Sequence, residues 1–126
     1  MMSQQGDENS PRRDPYIDRI AVKSDGRVHF VRVDEIDFVE SAANYVRLHV
    51  GTTSHLIRET LRDLGSRLDP SRFPRIHRCT IVNLDRVKEI QPWFSGDAVV
   101  ILKDGKRLRL SRVFRSGFES ATGTRL

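Results

Sequence analysis

The amino-acid sequence predicts a mainly β domain built from several sheets. Two Asp-Gly pairs, Asp25-Gly26 and Asp104-Gly105, separate apolar runs, a pattern typical of hairpins. Residues 45–50 alternate between polar and apolar side chains, as a half-buried strand does. Only residues 61–68 have the apolar spacing of a longer helix. We therefore expect roughly eight to ten short strands and about one real helix.

The first half of the domain is expected to hold two hairpins. Asp34 and Glu35 should interrupt the chain before the third strand, and Gly51 should turn the second hairpin. The loop 41–44 joins the third strand to that hairpin. The predicted strands of this half are residues 20–23, 28–31, 36–39, 45–50 and 55–57.

The second half should begin with the helix. Leu61, Leu64 and Leu68 recur at helical spacing, Thr60 is a suitable N-cap, and Asp69-Pro70 stops the helix. Ser111 could cap a short final helical turn through Phe114 and Phe118. The predicted strands of this half are residues 73–76, 80–84, 87–93, 98–102 and 107–110.

The length of 126 residues fits one domain, which we place at residues 18–120. Polar residues 1–17 should form a disordered arm or linker, and residues 121–126 a flexible tail. One cysteine cannot form an internal disulfide, and no apolar run approaches the roughly 18 residues that span a bilayer. We expect a cytoplasmic protein with no membrane partner.

The positive charge lies in the C-terminal half. Residues 1–70 contain 10 Lys/Arg and 12 Asp/Glu, a balance of −2, whereas residues 71–126 contain 12 and 5, a balance of +7. Such a bias favours an anionic partner, with nucleic acid first and an acidic membrane surface second. The alternative is that scattered Lys and Arg only keep the surface soluble.

The common catalytic signatures are absent from the sequence, so we expect no enzyme and no cofactor. His77 and Cys79 would share one face of a strand, but a structural zinc needs four ligands. The other histidines are His29, His49 and His55, of which His49 and His55 could face each other across their hairpin. Two residues of spacing also fit a Cys–His dyad poorly.

Three segments combine polar side chains with small neighbours. Asn44 could pair with an adenine edge, although Asn also commonly takes the left-handed conformation in a turn. Strand alternation would turn His77 and Cys79 inward and leave Arg75 and Arg78 outside. Ser111 at a helical start presents free N–H groups that favour a phosphate, and Arg112 could reach a guanine edge. Taken singly, each arginine is an ordinary surface residue.

The order and spacing of several motifs resemble the LytTR DNA-binding domain family. The resemblance covers about residues 18–118 and is most specific in Phe73-Pro74-Arg75-Ile76-His77-Arg78-Cys79-Thr80-Ile81-Val82-Asn83. Its other parts are Phe38-Val39-Glu40-Ser41, Asn44-Tyr45-Val46, Thr60-Leu61-Arg62-Asp63-Leu64 and Leu110-Ser111-Arg112.

The resemblance implies an elongated fold of about ten short strands in three sheets with a small helix. It implies a transcription regulator that reads paired direct repeats of promoter DNA through loops in successive major grooves. The DNA-contacting residues it implies are Asn44, Tyr45, Arg47, Arg75, Arg78, Ser111, Arg112 and Arg115. His77, Cys79 and Asn83 resemble structural members of the motif.

Two departures from the family pattern matter. Many relatives carry a receiver domain or a membrane segment before this domain, whereas here about 17 residues precede it. The module therefore stands alone or comes from a longer protein, and a separate receiver or sensor protein is a possible partner, as is a second copy on paired repeats. Cys79 replaces a serine common in relatives, which could make the loop oxidisable. The competing functions are a protein-interaction or dimerisation module without DNA binding and, third, an RNA-binding protein.

Overall fold

The computed structural model describes residues 15–126, and the expectation for residues 1–14 lies outside this range. The described part has ten strands and two α-helices. The strands are β1 (Arg19–Ser24), β2 (Arg27–Arg32), β3 (Phe38–Ala42), β4 (Tyr45–Val50), β5 (Thr53–Ile57), β6 (Arg75–His77), β7 (Thr80–Val82), β8 (Val87–Pro92), β9 (Ala98–Leu102) and β10 (Arg107–Leu110). The helices are α1 (Leu61–Arg67) and α2 (Arg115–Thr122). Short 3-10 turns span Val33–Glu35, Leu84–Arg86, Phe94–Gly96 and Arg112–Phe114.

The strands form three antiparallel sheets. β1 and β2 make a two-stranded sheet, β10-β9-β8 a three-stranded sheet, and β5-β4-β3-β7-β6 a five-stranded sheet. The mainly β prediction, with about ten strands in three sheets, is confirmed. The Asp25-Gly26 hairpin is also as predicted, with positive φ at both residues, 53° and 74°.

The first core lies on one face of the five-stranded sheet. There the β1–β2 hairpin and α1 cover Val39, Leu48 and Ile81, and Ile17 packs at the margin. Thr60 caps α1 by accepting a hydrogen bond from the Asp63 amide at 3.0 Å, as predicted. Gly65 allows the helix to approach β7, because a Cβ at this position would lie 3.1 Å from Ile81 Cδ1.

The second core lies on the opposite face of the same sheet. Phe38 and Val82 point into it, while their chain neighbours Val39 and Ile81 point into the first core. The three-stranded sheet and α2 supply the rest of this core, including Val100 and Phe118. β3 and β7 are therefore covered by apolar residues on both sides where they carry Phe38-Val39 and Ile81-Val82, which explains why adjacent residues there are both apolar.

Several predicted boundaries were wrong, each for a local reason. β3 begins at Phe38 rather than at residue 36, and it continues to Ala42, so the predicted loop shrinks to the two-residue turn Ala43-Asn44. Ala43, not Asn44, takes the positive φ, 56°. β7 ends at Val82 because Asn83 caps a 3-10 turn. The final helical turn is longer than predicted, since α2 continues to the left-handed cap Gly123.

Candidate nucleic-acid interface

Three connections meet at one end of the five-stranded sheet. Ala42 pairs with Tyr45 across the β3–β4 turn, and the Ser41 amide donates to the Cys79 carbonyl at 2.9 Å. The β6–β7 turn, residues 78–79, therefore lies beside the β3–β4 turn. Ile57 pairs with Val46, which brings the connection from β5 to α1 to the same end.

These connections line one open cleft that combines four predicted contact residues with two others. Glu59 and Asp63 are the acids of the cleft, and Glu59 is paired with Arg67. The arginines outnumber the acids, so the cleft favours anions. We call its candidate contact residues the turn cluster, which comprises Asn44, Tyr45, Arg58, Arg62, Arg75 and Arg78.

Arg78 is an available cation at the tip of the β6–β7 turn. Its side chain is exposed and makes no hydrogen bond or ion pair with any residue in the range 15–126. Arg78 belongs to a two-residue turn, where strand alternation does not apply. Because a guanidinium exposes five donors in a planar fork, an unpaired one at a turn is well suited to a base edge or a phosphate.

The prediction that His77 and Cys79 turn into the core was wrong. The fully buried residue is Ile76, while His77 and Cys79 are half-buried. A bulge between Arg75 and His77 and the turn at residues 78–79 reset the alternation. His77 Nδ1 instead accepts a hydrogen bond from the Cys79 amide at 3.2 Å, which ties the turn to its strand.

Arg75 also stabilises the β6–β7 turn through hydrogen bonds to its backbone. Its Nε donates to the His77 carbonyl at 3.2 Å, and its Nη2 donates to the Arg78 carbonyl. Its guanidinium carbon lies 5.8 Å from the centre of the Phe114 ring. Arg75 thus fixes the turn that presents Arg78, in addition to adding positive charge to the cleft.

Asn83 holds the other end of β7. It is the buried polar residue of the described part, and its Nδ2 donates to the Ile36 carbonyl at 2.8 Å. Its Oδ1 accepts from the Asp85 amide at 3.0 Å. These contacts satisfy a carbonyl and an amide that would otherwise lack partners inside the protein.

Ser111, Arg112 and Arg115 form a second group, which we call the C-terminal cluster. Ser111 Oγ accepts from the Val113 amide at 3.3 Å and starts the 3-10 turn. The Arg112 amide donates to Asp97 Oδ1 at 2.9 Å, and Arg112 Nη1 reaches the Ser95 carbonyl at 3.4 Å. The long bond to Ser95 leaves most Arg112 donors free.

Asp97 anchors the C-terminal cluster to the β8–β9 loop. Its carboxylate also accepts from Arg109 Nε at 3.0 Å and Nη2 at 2.7 Å. The hydrogen bond from the Arg112 amide, followed by that from Arg109, holds the pKa of Asp97 below its ordinary value. Asp97 is therefore charged at neutral pH and fixes the backbone that carries Arg112.

Arg115 uses its guanidinium inside the protein. Its Nη1 donates to the Gly96 carbonyl at 3.0 Å, its Nη2 to the Leu126 carbonyl at 2.8 Å, and its Nε lies 3.6 Å from Glu119. With all three nitrogens engaged, Arg115 is less available to an external anion than Arg112.

β6 joins the two clusters. The Ile76 carbonyl accepts the Ser111 amide at 2.8 Å, and Arg75 at the start of β6 packs over Phe114. The turn at the end of β6 carries Arg78. The separation of the two clusters is therefore set by one short, bonded strand.

Arg47 lies apart from both clusters. It is half-buried within β4, and its Nη1 donates to Ser54 Oγ at 3.3 Å. It shares its face of the sheet with His49, which contacts Glu40 at 2.6 Å and stacks on Phe38.

Arg58 and Arg62 were missed by the sequence analysis. Both are exposed and line the cleft of the turn cluster. The signal that could have found them is the predicted hairpin of 45–50 with 55–57, because the residue after Ile57 must lie near the start of β4. Their proximity to Arg78 depends on tertiary pairing, which the sequence pattern alone does not supply.

The histidines do not assemble into a metal site. His49 pairs with Ser54 and His55 with Leu48, so the two imidazoles lie on opposite faces of the sheet, contrary to the prediction. His55 instead lies against His29, with ring centres 5.3 Å apart. Within residues 15–126 no three His, Cys, Asp or Glu side chains are grouped closely enough to hold a metal. In the same range, neither helix has the length and apolarity needed to cross a bilayer.

Comparisons with curated proteins find relatives that are longer than this chain. It is 27% identical over 122 residues to the sensory transduction protein LytT of Enterococcus faecalis, covering 97% of this chain and 50% of that protein. It is 29% identical over 104 residues to the transcriptional regulatory protein LytR of Staphylococcus aureus, covering 82% and 42%. It is 35% identical over 86 residues to the sensory transduction protein LytT of Bacillus subtilis, covering 67% of this chain and 36% of that protein. The chain thus spans half or less of the length of these relatives.

A solved structure has the same fold. The LytTr DNA-binding domain of a Bacillus cereus response regulator matches with a TM-score of 0.76 at 20% identity, covering 85% of this chain and 98% of that one. The sequence model of the LytTr DNA-binding domain matches residues 26–123. This match spans most of the sequence, and the chain therefore belongs to the LytTr DNA-binding domain family.

Proposed function

We propose that this chain is the DNA-binding part of a transcription regulator and that it binds duplex DNA in a sequence-specific way. The observation that carries the proposal is the convergence of Arg58, Arg62 and Arg78, none paired with a residue in the described range, beside Asn44 at one end of the sheet. Free guanidiniums next to an exposed amide suit a surface that contacts phosphates and reads base edges.

We assign a role to each residue according to whether its polar groups are free to bind DNA or are bonded within the protein. We assign base readout in the major groove to Asn44, Arg78 and Arg112, whose polar groups are largely free. Arg58 and Arg62 are assigned to phosphates, with Tyr45 and Ser111 alongside. Arg75, His77 and Cys79 shape the β6–β7 turn, and Arg115 shapes the β8–β9 loop, because their polar groups are bonded internally.

The wider assembly follows from this role. Two copies on paired direct repeats would contact promoter DNA together, and a receiver or sensor, in the same protein or a separate one, would supply the signal. The relatives named for sensory transduction and transcriptional regulation support this reading. Binding rather than catalysis is the proposed activity, and a regulator of promoters works in the compartment of the chromosome, the cytoplasm.

The first test replaces Arg78. A target is first selected from random duplexes with the wild-type chain, and binding is then measured by fluorescence anisotropy. Arg78→Ala should weaken binding to that target by about 1–3 kcal/mol and relax base preference at one position. Arg58→Ala should weaken binding to all duplexes and flatten the dependence of log K on log salt by about one unit.

Arg27→Ala is the matched control, because Arg27 is an exposed arginine on the β1–β2 hairpin, outside both clusters. It should bind the selected target like the wild type. If Arg78→Ala also did so, the turn cluster would not be the DNA-reading surface. Failure of the wild type to bind any duplex would favour the protein-interaction module.

A further inference from the structure

An exposed apolar patch lies beside the C-terminal cluster. The exposed fractions are 57% for Trp93, 75% for Phe94 and 75% for Val113. The rings of Trp93 and Phe94 meet edge to face with centres 5.2 Å apart. All three side chains line the same cleft as Arg112. Single exposed apolar residues are ordinary, but a contiguous group of three, here from the β8–β9 loop and the 3-10 turn after β10, commonly marks an interaction site.

The loop that carries Phe94 has a defined and strained backbone. The Trp93 amide donates to the Asp97 carbonyl at 2.9 Å, and the Asp97 amide donates to the Phe94 carbonyl at 3.0 Å. Between them, Ser95 and Gly96 both have positive φ, 56° and 85°. A serine in this conformation is unfavourable, so the loop holds Phe94 outward at a conformational cost.

The same loop is bonded to the segment that carries Arg112. Arg112 reaches Asp97 and Ser95, and Arg115 donates to the Gly96 carbonyl. The approach is close, since a Cβ on Gly96 would lie 3.4 Å from the Cβ of Arg112. The apolar patch and Arg112 are therefore held next to each other by these contacts, and a duplex bound by Arg112 would lie against the patch.

The charge around the patch fits a nucleic acid. Arg107 is exposed and has no partner among the residues that the structure describes, and the side chain of Arg109 is 63% exposed although it is paired with Asp97. DNA offers phosphates to such cations, and in the major groove it also offers an apolar group, the C5-methyl of thymine. An apolar surface among arginines can use both.

We propose that Phe94 and Val113 contact DNA and pack against a thymine methyl group next to the base that Arg112 reads. Trp93 supports the ring of Phe94. This inference rests on the proposed function and adds the β8–β9 loop as a specificity-determining element outside the three segments that the family resemblance implies.

The test uses the whole chain and a duplex selected with the wild type, in which each thymine is replaced in turn by deoxyuridine, which lacks only the methyl group. The wild type should lose about five- to tenfold in affinity at one or two of these positions, at the lower end of a typical base contact. Phe94→Ala should lose about tenfold on the thymine duplex and should no longer respond to the replacement at that position. Phe30→Ala is the control, because Phe30 is 61% exposed on β2, outside both clusters, and it should bind like the wild type.

The outcomes separate the inference from the proposed function. If Phe94→Ala and Val113→Ala bind like the wild type while Arg78→Ala loses affinity, the patch does not contact DNA and the DNA-binding role stands. Wild-type insensitivity to every methyl deletion would also overturn the inference. If the variants change only self-association in sedimentation velocity, the patch binds a second copy. If the wild type binds no duplex, both proposals are wrong.

Discussion

At the scale of single residues, Asp97 organises the C-terminal cluster more than any arginine does. Its two oxygens hold the Arg112 amide and the Arg109 guanidinium, and its side chain is 13% exposed. The role of Asp97 was not predicted from the sequence, because an aspartate before a strand has no pattern of its own. Its role depends on a loop and a segment that are separated by 15 residues in the chain.

Asp97→Asn should make the stability of the protein less dependent on pH in the acid range. The pKa of Asp97 in the folded protein lies below its ordinary value of about 3.9, so the stabilisation is complete above that value. It is lost as the pH falls through the folded pKa, because the unfolded chain binds the proton first. Urea unfolding followed by Trp93 fluorescence at pH 7 and in steps to pH 3 measures the difference between the two proteins.

The difference in unfolding free energy between wild type and Asp97→Asn should therefore shrink as the pH falls. Asp25→Asn, at an exposed hairpin turn, controls for the loss of one negative charge. A difference that stayed constant from pH 7 to pH 3 would show that the Asp97 carboxylate does not stabilise the fold through its charge.

At the scale of elements, the sequence predicted what depends on local chemistry. The Asp25-Gly26 turn, the Thr60 cap and the three hairpins follow from neighbouring residues, and the structure contains them. The orientation of His77 was not predictable, because a bulge in β6 breaks the alternation on which the prediction depended. The grouping of Arg58 and Arg62 with Arg78 was not predictable either, since strand pairing brings three distant connections together.

Asn83→Ala should lower the free energy of unfolding by about 2–3 kcal/mol. The substitution leaves the Ile36 carbonyl and the Asp85 amide without their partner, and Asn83 is fully buried. Chemical denaturation at neutral pH measures the loss. Asn44→Ala is the matched control, because Asn44 is exposed in a turn and has no partner in the described range, and its effect on stability should be under about 0.5 kcal/mol. Equal effects of the two changes would mean that the Asn83 contacts contribute little.

At the scale of the whole molecule, one short strand links the turn cluster and the C-terminal cluster, the two groups for which we propose contacts with DNA. β6 bonds to Ser111 and ends in the turn of Arg78, so the two clusters keep a fixed separation. The excess of positive charge in the C-terminal half of the sequence belongs to these two clusters in part, because the segments from β6 to α2 contain most of their arginines. Composition indicated the partner, whereas only the fold shows that two surfaces are presented together.

The double variant Arg78→Ala/Arg112→Ala should lose the sum of the binding free energies lost by the single variants, to within about 0.5 kcal/mol. The two side chains lie in different clusters and share no partner, so neither should depend on the other. Anisotropy titrations of the three variants against the selected duplex measure the sum. If the double variant lost much less binding free energy than this sum, the two clusters would not contact the duplex independently.

Because β3 and β7 bury apolar side chains on both faces, burial alone does not define their pairing register, and Asn83 supplies the missing constraint. A strand with one apolar face has a single correct register, because a slip by one residue exposes its apolar side chains. Phe38-Val39 and Ile81-Val82 place apolar side chains on both faces of the sheet, so a pairing slipped by one residue would still bury apolar side chains. The Asn83 side-chain amide donates to the Ile36 carbonyl, and the Asn83 backbone amide donates to the Asp37 carbonyl. A slipped pairing would lose both hydrogen bonds. One buried amide thus marks where β7 must align with β3, and with it where Arg78 stands beside Asn44.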